Sequence, residues 1–425
     1  LASSIRRYFE LDVYHNTLSD IDKILDEYKP RNVVVILFDG MGSRLIKKSL
    51  GENSFLYRNM LKEISSVVPA TTTASTTSML TGLSPMEHGW LAWDLYFKKE
   101  NKIVTMFTNK IKDTDIDADS VSLARKYFPY KNICELINEE GKHYAKLIAS
   151  FNENKYEDID DMISKIKSSL NVKDKNYIYV YNPEPDTTMH ITGTDSNETK
   201  KYFELINKKA EELYNSISDD TLLIVVADHG HINCDTIILE DYKDIFDTLD
   251  GDTSFEGRLC CFKIKDGREE EFVYLFNKYF NDYFVLMTKE ELINSKLLGN
   301  GTEHKYFRDS LGDYFALAYS NKYFKYRNVG HIHKSTHAGF TEDEMKKIVN
   351  MKYTLKIDNI FIKGSENSYT SIEQLGITDI TVPKDSVNIF TLEWYWEDDD
   401  KLDTEIGTSD DRYYTINLKI EASHD

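Results

Sequence analysis

Three short apolar runs in this chain end directly in side chains that bind metals. "NVVVILFD" (32–39) ends in Asp39 and is followed by "GMG". "NYIYVYNPEPD" (176–186) leads into "DTTMH", which holds Asp186 and His190. "TLLIVVADHGH" (221–231) carries the adjacent pair Asp228 and His229. A fourth segment, "GHIHKSTHAGF", holds His331, His333 and His337. Carboxylate oxygens and imidazole nitrogens suit a divalent ion such as zinc, with manganese as the alternative. One zinc takes about four donors. The chain offers more than that, which points to two ions. The stretch "PATTTASTTS" (69–78) adds a concentration of hydroxyls. A threonine hydroxyl is a weak nucleophile until coordination lowers its pKa, so a hydroxyl held against such cations would carry out group transfer. Each piece has a plainer reading by itself: a turn, a surface loop, a capped helix start. Their joint occurrence in one order carries the weight.

The elements that must position these residues are legible. Continuous β-branched apolar runs read as strands buried on both faces of a parallel sheet. "HYAKLIASF" (143–151) adds another strand, and helical spacing appears over 156–170 and 198–217. Strands alternating with helices predict an α/β fold, a mostly parallel sheet flanked by helices with right-handed crossovers. Ligands then bind beyond the carboxyl ends of the strands, where Asp39, Asp186, Asp228 and His229 fall. Residues 257–292 read strand, helix, strand, helix, and predict an inserted α+β cap. The expected organisation is a catalytic core over 1–236, a cap over 237–310, the core's return over 311–350 with strands rejoining the main sheet, and a β-rich unit over 351–425. In that last unit "YTLKIDNIFI", "NIFTLEWYW" and "YYTINLKI" alternate in a β manner, and the acidic run "WEDDDKLDTE" reads as a solvated edge.

The motif order resembles the alkaline phosphatase superfamily, in particular its type I phosphodiesterase/nucleotide pyrophosphatase branch. "LFDGMG" resembles the first metal-binding strand end. "VPATTTASTTSMLTGLSPMEHG" (68–89) resembles the nucleophile segment, "PEPDTTMH" the E-x-P-D-x-x-x-H element, "VVADHGH" the D-H-G element, and "THAGFTEDEM" the last His segment. The resemblance implies a hydrolase that cleaves phosphodiester or pyrophosphate bonds at two divalent ions, expected to be zinc, through a covalent threonine ester. In that branch the nucleophile lies three residues after the Pro and nine before the Thr of T-G-L, which implies Thr72, with Thr71 and Thr73 as the alternatives for a one-residue slip. One metal would then be held by Asp39, Thr72, Asp228 and His229, and the other by Asp186, His190 and His337. The residues after Thr72 read as a helix start, whose amides would face the phosphoryl oxygens.

Two positions depart from that branch. Thr73 stands where an aromatic residue follows the nucleophile, and "HGWLAWDLYF" supplies Trp90, Trp93 and Asp94 but no Asn. Thr73 and Trp93 are the candidate substrate residues, with Trp90 and Tyr96 as further members of an apolar wall. A phosphomonoesterase or phosphonate hydrolase with the same site is the alternative, and an inactive metal-stabilised binding protein a more distant one. The C/S-x-P-x-R pattern of sulfatases is absent.

Composition bounds the partners. A formal net charge of −20 argues against stable nucleic-acid binding, which needs Lys/Arg against phosphates; a small phosphate ester remains compatible once a cation supplies local charge. The four cysteines, Cys134, Cys234, Cys260 and Cys261, form no C-x-x-C pair. No apolar run reaches membrane-spanning length and no signal-peptide core opens the chain, so a cytoplasmic location is the expectation. The first residue is Leu, which admits an upstream segment.

Overall fold

A computed structural model of the chain describes residues 1–341, 343 and 344, and the backbone of Met351–Ile357, Ile360–Lys363 and Phe390–Trp396. The central element is a parallel sheet of β1 (Asn32–Phe38), β2 (Tyr144–Ala149), β3 (Asn176–Asn182) and β4 (Thr221–Val226), in the order β2-β3-β1-β4. β1 is buried along its whole length because both faces of the sheet are covered. Val33, Val35 and Leu37 pack with Ile5, Phe9, Leu25, Ile133 and Ile137. The alternate set, Val34, Ile36 and Phe38, packs with Met162, Ile166, Phe203, Ile206 and Leu213. The period of two along the strand thus feeds two helical layers. Each enclosed side chain contributes roughly 1.5–3 kcal/mol.

This is the α/β core expected from the sequence. β1, β3 and β4 are adjacent, so Asp39, Asp186 and Asp228 emerge at one edge. Backbone bonds fix their relative heights: Asp39 N–H donates to Asn182 O at 2.9 Å, and Asp186 N–H donates to Asp39 O at 3.1 Å. Helix α1 (Thr72–Thr81) and helix α2 (Asp186–Thr192) begin at the same edge.

A second, antiparallel sheet corrects one expectation. The chain over 311–327 does not rejoin the parallel sheet. Tyr314–Ala318 pairs with Leu259–Phe262 and Phe284–Thr288, and that sheet continues through Ser254–Phe255 to Asp94–Phe97, Lys102–Thr105 and Lys110–Ile111. Lys322–Lys325 pairs in parallel with Asp235–Ile238 as a separate two-stranded sheet. The strand–helix–strand–helix order predicted over 257–292 is present, but its strands share a sheet with residues from both sides of it. A buried run such as "YFALA" is apolar on both faces and fits either sheet, so its pattern does not name its neighbours. Residues 1–346 form one compact unit and 347–425 another. In the latter, Ile360–Lys363, Met351–Ile357 and Phe390–Trp396 make an antiparallel sheet in that order. The third expected strand there, 413–420, and the acidic run after Trp396 lie outside the described residues.

A buried ion pair ties the last core segment down. Arg258 is fully enclosed, and its Nε and Nη2 donate to the two Glu344 carboxylate oxygens at 2.5 and 2.6 Å. Glu344 also accepts from Gly339 N–H and the Thr341 hydroxyl, both at 2.7 Å. Its carbonyl accepts from Gly230 N–H at 2.8 Å. A Cβ at Gly230 would lie 1.8 Å from Asp343 O, so only glycine allows this approach. Replacing Glu344 by Ala strands a buried guanidinium. The expected loss is about 3–5 kcal/mol, read as a lower midpoint in urea unfolding; an unchanged midpoint would show the pair to be dispensable.

Candidate active site

The strand-end residues form two adjoining donor groups. Asp39, Asp228 and His229 are one; Asp186, His190, His231 and His337 are the other; within each, one ligand atom per residue lies within 4.8 Å of the rest. Stacked rings of His229 and His337, with centroids 3.8 Å apart, join the groups. Thr72 adds its hydroxyl to the first. Oγ1 lies 3.2 and 3.4 Å from the two Asp39 oxygens and 3.4 Å from His229 Nε2. His229 Nε2 is 3.2 Å from Asp39 Oδ1 and 3.6 Å from Asp228 Oδ2. Donors about 2.0–2.1 Å from one tetrahedral ion stand about 3.3 Å apart, so these separations fit a single cation.

The backbone around the site explains the aim of each donor. Gly40 adopts φ +70, a conformation glycine takes without a Cβ penalty. Its N–H donates to Asp228 Oδ1 at 3.1 Å, as does His229 N–H at 3.0 Å. The other oxygen, Asp228 Oδ2, is buried with no hydrogen-bond partner. A buried carboxylate oxygen left alone is costly, and a cation would satisfy it. The imidazoles are oriented alike. Nδ1 of His229 donates to Gly230 O at 2.9 Å, Nδ1 of His190 to Ser335 O at 2.9 Å, and Nδ1 of His337 to Ala70 O at 3.1 Å. Each leaves Nε2 facing inward, the arrangement that carbonyl partners impose on metal-binding histidines. On these grounds the residues fit two divalent cations.

Charge balance agrees. Burial, and then Asp186, push Asp39 above the usual carboxylate range; burial and Asp39 push Asp228 well above it. Burial opposes the His229 charge, but Asp228 and Asp39 outweigh it and raise the ring to about 10. Protons thus gather where positive charge is missing. Burial also opposes the Asp186 carboxylate, and His190 outweighs it, holding it well below the usual range.

All seven expected ligands meet here. Thr72 opens α1, whose preceding residue Thr71 has extended geometry but makes no side-chain cap. The Thr71 hydroxyl instead donates to Glu256 Oε1 at 2.6 Å, so the run of hydroxyls does not cap the helix as its composition suggests. Thr76 and Thr81 hydroxyls bond back to the carbonyls of Thr72 and Thr77 at 2.6 and 2.7 Å. Thr73, expected at the substrate, is fully buried, and its hydroxyl lacks a partner. Trp90 is core, its indole N–H donating to Phe128 O at 2.9 Å. Trp93 is exposed. Its ring lies 5.7 Å from Phe107, which lies 6.4 Å from Phe151, which lies 5.5 Å from Tyr181. Tyr181 Oη donates to Asp39 Oδ2 at 2.5 Å, so this aromatic row ends at the donor cluster. His331 is exposed, while the His333 ring sits 4.3 Å from that of His190.

Four residues of this site escaped sequence reasoning. His231 was visible in "DHGH" but had no assigned role. Ser335 sits two positions before His337. Tyr181 and Glu256 carried no local signal. Glu256 accepts from Thr71 and, at 2.7 Å, from Trp93 N–H.

Residues 33–279, more than half of the chain, match the type I phosphodiesterase / nucleotide pyrophosphatase family. The chain belongs to that family. It is therefore a hydrolase of phosphate esters. Among curated proteins nothing matches. Among solved structures the fold is similar to murine ectonucleotide pyrophosphatase / phosphodiesterase 5, with 19% identity, a TM-score of 0.57, and 74% of this chain and 86% of that one covered. An inactive Thr→Ala variant of the murine protein, in complex with AMP, aligns at 18% identity and a TM-score of 0.55 over the same shares of the chains. Phosphonoacetate hydrolase from Sinorhizobium meliloti 1021, in complex with phosphonoformate, aligns at 16% identity and 0.55, covering 74% of this chain and 89% of that one. No helix among the described residues is long and apolar enough to cross a membrane.

Glu256 yields a pH prediction. Burial pushes its carboxyl from 4.5 up to about 7. Below pH 4.5 both folded and unfolded chains hold the proton, so the residue costs nothing; as pH rises to 7 the unfolded chain releases it first and stability falls. Glu256→Gln keeps the acceptor and removes the titration. Its stability gain over wild type should therefore grow across that window, to on the order of 3 kcal/mol. Urea unfolding at several pH values measures this, and parallel pH curves for the two proteins would refute it.

Proposed function

We propose that the chain cleaves a phosphodiester or pyrophosphate bond by double displacement through Thr72, at a centre holding two divalent cations, most simply zinc. The observation that carries this is the Thr72 hydroxyl at the start of α1, within 3.4 Å of both Asp39 and His229. Asp39, Asp228 and His229, with Thr72 Oγ1, would hold one cation, and Asp186, His190 and His337 the other. Bound there, the cations would lower the pKa of the hydroxyl and of a hydrolytic water, and offset charge on the phosphoryl group.

The chain's own groups supply the rest. Thr72 Oγ1 gives up its proton on the Asp39 side and attacks phosphorus. The bond from phosphorus to the leaving oxygen breaks, and that oxygen leaves with the electron pair and takes a proton. Water then attacks the Thr72 ester, the bond from phosphorus to Oγ1 breaks, and Oγ1 regains a proton. The first-turn amides of α1 face the phosphoryl oxygens, a place where helix dipoles favour negative charge. The row Trp93–Phe107–Phe151–Tyr181 favours a leaving group with a flat apolar body, as in an aryl or nucleoside ester. The AMP complex of the murine relative supports this reading. Thr73 in place of an aromatic residue, and the absence of Asn over 90–97, favour the second reading, a phosphonate hydrolase or phosphomonoesterase with the same centre.

Rates on an aryl phosphate diester and the matching monoester, with zinc and with manganese, test the substrate class. The diester should turn over faster; a large monoester preference would overturn the diesterase reading. Thr72→Ala should lower turnover by on the order of a thousandfold or more while the fold persists, and wild-type turnover would remove Thr72 from the role. Chelation should abolish turnover and also lower the melting temperature, because the clustered carboxylates lose their compensation; an unchanged melting temperature would oppose a resident metal pair.

A further inference from the structure

His231 stands against the second donor group in a way that specifies its tautomer. The Ser335 hydroxyl lies 2.6 Å from Met189 O, a carbonyl that can only accept, so Ser335 donates there. The same Oγ lies 2.9 Å from His231 Nδ1. With its proton committed, Oγ accepts, and His231 carries its hydrogen on Nδ1. In the neutral ring Nε2 is then a bare lone pair, and it lies 2.7 Å from Asp186 Oδ1. Two acceptors face one another, with the His231 ring enclosed and the Asp186 side chain 13% exposed. Such a pair needs a cation between or beside it. His190 Nε2 and His337 Nε2 approach the same Asp186 oxygen at 3.4 and 3.7 Å. Ser335 serves both rings at once, by its carbonyl toward His190 and its hydroxyl toward His231. It is itself fully buried on the short strand Ser335–Thr336, which pairs with Ile232–Asn233 beside His231.

We infer that His231 is a fourth protein ligand of the cation held by Asp186, His190 and His337. The inference rests on the two-cation reading above. Three imidazoles and one carboxylate are a donor set suited to zinc, and a fourth chain ligand would make this cation the more slowly released of the two.

Two measurements on the full chain decide it. The first is metal content by mass spectrometry during dialysis against a chelator. Wild type should hold two equivalents, one released slowly, and His231→Gln should release that one about tenfold or more faster. The second uses cobalt-loaded wild type, and so survives any folding defect in the variant. Each bound histidine with hydrogen on Nδ1 gives a hyperfine-shifted exchangeable proton, so His190, His229, His231 and His337 should give four. Four signals and a visible spectrum altered in His231→Gln support the inference. Three signals, or retention equal to wild type in the variant, would overturn it and make His231 an imidazolium hydrogen-bonded to Asp186. Wild type holding fewer than two equivalents would instead overturn the two-cation reading itself.

Discussion

Everything at this edge of the sheet follows from crowding three carboxylates into an enclosed space. Asp39 and Asp228 are buried and Asp186 nearly so, and each lies beside another. Removing such groups from water costs several kcal/mol apiece unless charge and hydrogen bonds return it. Neutral donors do part of this: Gly40 N–H and His229 N–H serve one Asp228 oxygen, and the Tyr181 hydroxyl serves Asp39. They cannot do all of it, since Asp228 Oδ2 remains alone. The remainder calls for positive charge, and the histidines around it turn lone pairs inward. A cluster that is unfavourable without positive charge is one that could hold cations.

That constraint reaches well beyond the donors. Each imidazole must be locked from behind, so Gly230, Ser335 and Ala70 give a carbonyl, or in Ser335 a hydroxyl as well, to a ring nitrogen. The loops supplying those groups must in turn be held. The Arg258–Glu344 pair, with Gly339 and Thr341 bonded to the same carboxylate, holds the end of the last His segment, and the Glu344 carbonyl takes the Gly230 N–H, linking it to the "DHGH" loop. A buried ion pair contributes little net stability but much when broken, and here it sits where displacement would disturb His337 and His229 together.

The parallel sheet and its donors were legible because two independent patterns coincide. Apolar β-branched runs mark β1, β3 and β4, and the ligand types follow at each carboxyl end, where such sheets place sites. Thr72 was singled out by the family resemblance, through its spacing from Pro69 and Thr81, and the structure places its hydroxyl beside Asp39 and His229. What escaped was non-local. Ser335, Glu256 and Tyr181 act through partners from 104 to 185 residues away, or 142 for Tyr181 with Asp39. The antiparallel sheet escaped for the same reason, because its strands are short and drawn from 94–111, 254–262, 284–288 and 314–318. His231 differs: it stood in plain view, but a histidine beside two assigned ligands has no signature until the tautomer-setting partner is known.

The two sheets divide the labour. Strand ends of the parallel sheet carry the charge cluster, which tolerates little change because each donor is compensated by another. The antiparallel sheet and its loops carry Trp93 and Phe107. The departures from the nucleotide pyrophosphatase pattern fall after Thr72 and after His88, not among the seven donors. Glu256 is the junction. One oxygen accepts from Thr71, adjacent to Thr72, and from the Trp93 backbone, at the end of the aromatic row. A change in the second sheet that moved Trp93 would therefore pull on that oxygen and so on the start of α1.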